Sequence, residues 1–208
     1  MRHILIVFLA GVLLLCYPHY GSAQGTAATK PPARKFKHNS KVETIYDKGK
    51  DQTTVYLRPM TMRYVKSSIE ARIVNEGRTD VLPAEVLSLT AYFNSPGKVL
   101  VKPQFVVIGF RSFAMDKTPY TNDRTLIVHR DGSTENLGSM EIMEHRIDER
   151  MSAGPVRYIV ESLELPIPYE SFLRITKAKK ATMILGGTEL QLQNEHLEAF
   201  RDLVSRVG

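Results

Sequence analysis

The stretch RTLIVHRDGSTENL, residues 124–137, decides how this chain folds. A run of β-branched and apolar residues leads into Asp131-Gly132, and a second extended run leaves it. Asp-Gly between two such runs is the strongest short-range hairpin signal. Both central residues of a type I′ turn need positive φ, which glycine adopts freely and aspartate tolerates. Arg124–Arg130 and Ser133–Leu137 are therefore expected to pair as antiparallel strands.

Similar text surrounds this hairpin: short runs rich in Val, Ile, Thr, Tyr and Phe, punctuated by Gly, Pro, Asn and Asp. Val42–Asp47 and Thr53–Arg58 read as strands about Lys48-Gly49-Lys50, and Met60–Lys66 reads as a continuation after Pro59. Val86–Phe93 places Leu87, Leu89, Ala91 and Phe93 on one face, and Asn94-Ser95-Pro96-Gly97 supplies a turn. Gln104–Ser112 has Phe105 and Val107 on one side and Val106, Ile108 and Phe110 on the other, the pattern of a central strand buried on both faces. Ile142–Ile147 and Val156–Leu165 follow, the second with Tyr158 and Val160 opposite Ile159 and Leu163.

The period then lengthens. Pro168 suits a first helical turn, Glu170 the N-terminal end, and Lys177, Lys179 and Lys180 the C-terminal end. Tyr169, Phe172, Leu173 and Thr176 share one side. Ala181–Leu185 and Glu189–Gln193 form a hairpin across Gly186-Gly187. Asn194 is placed to cap a last helix with Leu197, Phe200, Leu203, Val204 and Val207 as its buried stripe. The expected fold is mostly β (α+β): a β-sandwich-like antiparallel core, with a barrel as the alternative that the same pattern allows, and a C-terminal helix–hairpin–helix appendage. No solenoid-type repeat is present.

The first residues carry a different message. Arg2 and His3 precede twelve apolar residues, Ile4–Leu15, and Gly21-Ser22-Ala23 follows. That is the layout of a secretory signal peptide over 1–23, cleaved after Ala23. The run is shorter than the ~20 residues a membrane-spanning helix needs, so no transmembrane anchor is expected after processing. Cys16 is the only cysteine. It invites a lipoprotein reading, against which stands bulky Leu15 where lipoprotein signals put a small residue. With Cys16 removed the mature chain has no thiol and forms no disulfide, and about 185 residues bury enough apolar surface to do without one. No Asn-x-Ser/Thr sequon occurs. A bacterial periplasmic or extracellular protein is the expectation.

Charge is uneven along the chain. Lys30, Arg34, Lys35, Lys37 and Lys41 lie in an acid-free segment, 24–41, too poor in apolar residues to repay its ordering entropy. It reads as an unstructured basic linker ahead of a single β-rich domain, 42–208. Such a segment suits an envelope protein or an anionic surface polymer. Setting these five bases and Arg2 aside, twenty-two basic residues face twenty-two acidic ones. The domain is therefore neutral and lacks the basic, aromatic-lined patch of a nucleic-acid binder.

Few motifs carry chemistry. His129-Arg130-Asp131-Gly132-Ser133-Thr134-Glu135-Asn136 matches the catalytic-loop spacing of protein kinases, yet no Gly-rich phosphate loop, strand lysine motif or Asp-Phe-Gly accompanies it. The hairpin reading of Asp131-Gly132 is preferred. Glu141, Glu144, His145, Asp148 and Glu149 crowd one segment. On a strand, Glu141 and His145 would share one face and Glu144 and Asp148 the other, giving at most two convergent ligands where zinc takes three or four. A charged, protective edge strand explains them. No Gly-x-Ser-x-Gly elbow occurs, and Gly186-Gly187 reads as a turn. His38 belongs to the linker, His129 flanks a turn and His196 starts the last helix, which leaves His145 as the best general base, with any Ser or Glu partner supplied in three dimensions. Tyr56, Tyr64, Tyr92, Tyr120, Tyr158 and Tyr169 could line a carbohydrate or peptide surface, but most fall inside strand or helix patterns, where packing accounts for them, and with no Trp in the chain a sugar-binding platform lacks its commonest component.

Two functional classes are carried forward. The first is an exported, non-enzymatic binding or structural domain with no metal or cofactor. The second is a secreted hydrolase assembled around His145, Glu144 and Asp148.

Overall fold

The computed structural model describes residues 36–62, 64–66, 85–115, 120, 122–150 and 156–207, with the side chains at 64–66, 85, 86, 115, 148–150 and 156–158 left outside the description. The expected signal peptide, Cys16, Lys30, Arg34 and Lys35 lie outside the described residues.

Eleven strands and two helices are described. They are β1 (Val42–Asp47), β2 (Gln52–Thr61), β3 (Tyr64–Lys66), β4 (Glu85–Pro96), β5 (Phe105–Met115), β6 (Thr125–Arg130) and β7 (Ser133–Ser139), then β8 (Glu141–Arg150), β9 (Val156–Pro168), α1 (Tyr169–Lys177), β10 (Ala181–Leu185), β11 (Thr188–Leu192) and α2 (Asn194–Ser205). Two antiparallel sheets pack together: a six-stranded sheet ordered β1-β2-β4-β5-β9-β8 and a five-stranded sheet ordered β3-β11-β10-β6-β7. This is the expected β-sandwich-like α+β architecture, and the C-terminal hairpin β10–β11 sits in the interior of the second sheet.

Alternation builds the core. Leu87, Leu89, Ala91 and Phe93 of β4 are buried, beside Val55 and Leu57 of β2, Val106, Ile108 and Phe110 of β5, and Leu163, Leu165 and Ile167 of β9. Leu126, Val128, Met183, Leu185 and Leu190 come from the facing sheet. Removing such side chains from water is worth roughly 25 cal/mol per Å² of apolar surface, which is what drives the two layers together.

Several expectations are corrected. β5 is interior to its sheet, but only one of its faces is in the core, since Phe105 is 46% exposed and Val107 half-buried. β4 runs on to Pro96, because Ser95 and Pro96 still pair with Thr53 and Gln52, and the chain reverses only at Gly97, where φ is +67°. β2 passes through Pro59 on a bulge between Leu57 and Met60. Proline has no N–H to give to a ladder, so an irregularity there is its natural place. Beyond Met62 the chain crosses to the other sheet, where β3 pairs with β11.

The helices lean on each other through Phe172 and Phe200, whose ring centroids are 4.9 Å apart at 55°. Arg201 of α2 donates to the carbonyls of Thr176 (2.7 Å) and Ala178 (3.0 Å), satisfying acceptors that the end of α1 leaves open. The cap of α2 is Gln193 rather than Asn194. Gln193 closes a capping box with His196, in which the Gln193 N–H donates to His196 Nδ1 at 2.9 Å. That bond leaves the proton on Nε2, 3.3 Å from the Thr61 carbonyl, and burial pushes the imidazole pKa down. Both nitrogens of this buried ring are thus committed to structure.

Candidate functional site

The segment that held the sequence-derived candidates forms β8, the edge of the six-stranded sheet. A bulge between Ile142 and Glu144 changes its facing. Glu141 pairs with Glu164, whereas His145 pairs with Glu161, three residues back along β9. Glu141 and His145 therefore lie on opposite faces, contrary to the period-two expectation, because one extra residue at the bulge shifts the parity of everything after it. Glu144 and Asp148 do share a face, opposite Ser162 and Tyr158. The Asp148 side chain is outside the description. Glu144 sits among cations, 3.6 Å from Arg111 and 3.4 Å from Arg146, and accepts from Ser162 Oγ at 3.3 Å.

On the other face, His145 meets a group that composition alone did not single out. Its Nδ1 lies 3.5 Å from Glu161 Oε1, and Glu161 is 1% exposed while His145 is half exposed. Ser112 stands opposite Glu161 on the far side, so the row across the sheet reads Ser112, Glu161, His145. Ser112 Oγ and Glu161 Oε2 are buried without a hydrogen-bond partner among the described residues. The order matters chemically. With the carboxylate in the middle, serine and imidazole stand two strand spacings apart, about 9.5 Å, well outside the roughly 2.6–3.2 Å needed for direct proton transfer.

Asp131-Gly132 makes the expected turn, with φ of +45° and +85°, and Arg130 pairs with Ser133 across it. The Asp131 carboxylate accepts from the backbone N–H groups of Lys179 and Lys180 at 3.1 Å each, bonds that hold its pKa below the usual range. It clamps the segment that leads from α1 into β10. Glu135 is held by Arg174 at 2.5 Å and Arg130 at 3.0 Å, and its pKa falls to about 2. Among the described residues no group of three or more His, Cys, Asp or Glu side chains is placed to hold a metal ion.

A cleft of about 290 Å³ opens elsewhere, lined by His38, Asn39, Ser40, Pro59, Met60, Thr61 and Glu195. The β2 bulge supplies Pro59 and Met60 as its apolar floor, and the first turn of α2 supplies Glu195. Residues 38–41 run alongside: Ser40 Oγ donates to the Arg58 carbonyl at 3.0 Å, and the Arg58 N–H donates to the Lys41 carbonyl at 2.9 Å. Lys41 Nζ is 2.9 Å from Glu43, and Lys37 is exposed.

His38 is the chemically distinctive member. Its side chain is 6% exposed, and Nε2 lies 3.3 Å from Asp202 Oδ2. Asp202 is itself gripped by the Arg206 fork, with Nε and Nη2 at 3.1 Å from its two oxygens. A carboxylate against Nε2 favours the tautomer with its proton there and leaves Nδ1 as an acceptor. That nitrogen is buried with no hydrogen-bond partner among the described residues. The sequence reading missed this residue because 24–41 is weighed by composition, and composition cannot reveal a partner that arrives 164 positions later in α2.

No protein-family model matches the chain, and no curated protein or solved structure is significantly similar to it. The class it belongs to is therefore defined by its own fold: a two-sheet antiparallel protein with a pair of C-terminal helices. No described helix is long and apolar enough to cross a membrane.

Proposed function

We propose that this chain is an exported, non-enzymatic binding protein that works in the bacterial envelope or outside the cell, with the His38 cleft as its ligand site. The observation that carries this reading is the cleft itself, which has in its lining a His38 ring anchored by Asp202 and, through it, by Arg206. Glu195 adds a carboxylate to the lining, while Ser40, Thr61 and Asn39 can each donate or accept. A carboxylate beside a small apolar floor suits a ligand with a cationic, donor-rich group, and an amino sugar of the envelope has that chemistry. The volume, about 290 Å³, falls just below the range of ligand sites, about 300 to 1,000 Å³.

Export rests on the signal-peptide layout of 1–23, and the basic residues Lys30, Arg34, Lys35 and Lys37 extend the reading to an anionic surface polymer near the domain. The test is titration of the purified chain with glucosamine, followed by imidazole resonances and calorimetry. Binding that shifts the His38 signals, and is lost in Glu195→Gln and His38→Ala while far-ultraviolet spectra stay unchanged, supports the reading. An unchanged His38 signal at saturating sugar refutes glucosamine-class binding in this cleft.

A hydrolase reading draws on a different observation, the carboxylate of Glu161 beside the half-exposed His145 ring. His145→Ala would abolish a broad esterase or glycosidase activity if that pair works on a substrate, and would leave sugar binding at His38 untouched.

A further inference from the structure

We propose that two copies of this chain pair edge to edge through β8, antiparallel about a two-fold axis at Ile147. β8 ends its sheet, so one row of its backbone N–H and C=O groups has no strand beside it among the described residues. Such an edge is a template for another strand unless something blocks it. The apolar residue at the axis is left in water, with Ile147 46% exposed. The bulge ends at Glu144, and from there the ladder with β9 is regular to Arg150.

The regular segment is Glu144-His145-Arg146-Ile147-Asp148-Glu149-Arg150, and Ile147 is its midpoint. Rotating it half a turn about Ile147 sets Glu144 opposite Arg150 of the second copy, His145 opposite Glu149, Arg146 opposite Asp148, and Ile147 opposite itself. Every acid meets a base or the imidazole, and residues directly opposite on an antiparallel pair share a face. Other axes fail. At Arg146 the axis puts arginine on arginine and Glu144 on Asp148. At Asp148 it sets aspartate on aspartate and Arg146 on Arg150, and at Glu149 it sets glutamate on glutamate. Charges that would keep a foreign strand off this edge thus select one register of one partner, as specificity by repulsion requires.

Light scattering on the size-fractionated chain across a wide concentration range should give twice the chain mass at the upper end. Arg146→Asp places like charges opposite each other at two symmetric positions and should weaken the dimer roughly tenfold or more. The double variant Arg146→Asp/Asp148→Arg restores opposite charges and should recover the dimer. A misfolded protein would not be rescued in this way. Ile147→Cys in a Cys16→Ser background should form an intermolecular disulfide on mild oxidation, since opposed residues of a strand pair lie about 4.5–5.5 Å apart at Cα. A monomer at every concentration, or a dimer indifferent to Arg146→Asp, overturns the proposal.

Discussion

Alanine placed at Gly186 and at Gly187 should have different consequences, although the two glycines are adjacent in one turn. Both have positive φ, +53° and +81°, in the two-residue connection between β10 and β11. An L-residue held in the left-handed region costs about 1 kcal/mol, and both variants incur this. A Cβ on Gly187 meets nothing within 4 Å. On Gly186 it would lie 2.4 Å from the Asp123 carbonyl oxygen and 3.2 Å from Tyr120 Cδ1. Neither neighbour yields easily. Asp123 is tied down because its side chain accepts from the Thr125 N–H at 2.8 Å, and Tyr120 is fully buried. Gly186 itself donates to the Thr125 carbonyl at 3.2 Å, so moving the turn away breaks a contact between β6 and the hairpin.

Forcing a methyl into a filled site costs typically about 1–3 kcal/mol beyond the backbone term. Gly187→Ala should therefore lose about 1 kcal/mol, reduced slightly by the stiffer unfolded chain, and Gly186→Ala about 3 kcal/mol. Urea unfolding followed by far-ultraviolet dichroism measures both, with the denaturant slope expected to stay constant so that midpoints report stability. Equal losses in the two variants would refute the reasoning, because backbone strain alone would then account for both.

Two further predictions concern pH. Glu135 has its pKa lowered to about 2, first by Arg174, so its contribution is complete above the ordinary carboxylate range near 4.5 and is lost as pH falls towards 2. Thermal unfolding from pH 5 to pH 2 should show Glu135→Gln less stable than the parent at the upper end, with the gap closing at the lower end. Tyr92 is raised to about 12, first by burial and then by its hydrogen bond to Glu164 at 2.7 Å. A raised phenol favours folding below its ordinary value near 10 and loses that contribution as pH climbs towards 12. Tyr92→Phe should flatten the alkaline fall in stability, and near-ultraviolet titration should find one tyrosine ionising late that the variant lacks.

Strand positions were legible because period-two burial is a local signal. Val42–Asp47 coincides with β1, and Ala181–Leu185 with β10, each end marked by turn residues. Asp131-Gly132 was legible for the same reason: the φ demands of two residues settle the turn. What could not be read depends on partners far away in sequence. Phe105 is exposed because it lies on the face of its sheet turned away from Val106, Ile108 and Phe110 and the core they join, and no feature of β5 itself reveals which face that is. The crossing of β3 to the second sheet depends on a pairing with β11 more than a hundred residues on. His38 looked like part of a linker because its partner Asp202 lies in the last helix.

The two bulges join these misses into one physical statement. Alternation assigns each residue of a strand to a face only while every position pairs one to one, and a single extra residue reverses the assignment for all that follow. In β2 the extra residue falls at Pro59, and the resulting irregularity floors the cleft beside His38. In β8 it falls at Met143, brings His145 onto the face of Glu161, and leaves Glu144–Arg150 as the uninterrupted segment whose charges are self-complementary. Deleting Met143 should therefore remove the irregularity and leave the facing unchanged. In the shortened strand Glu141, Ile142, Glu144 and His145 stand one to one opposite Glu164, Leu163, Ser162 and Glu161, so His145 keeps its contact with Glu161 and stays on the face opposite Glu141. A shortened variant that folds but loses the His145 imidazole signal of the parent would show that the extra residue does not account for the facing along this edge.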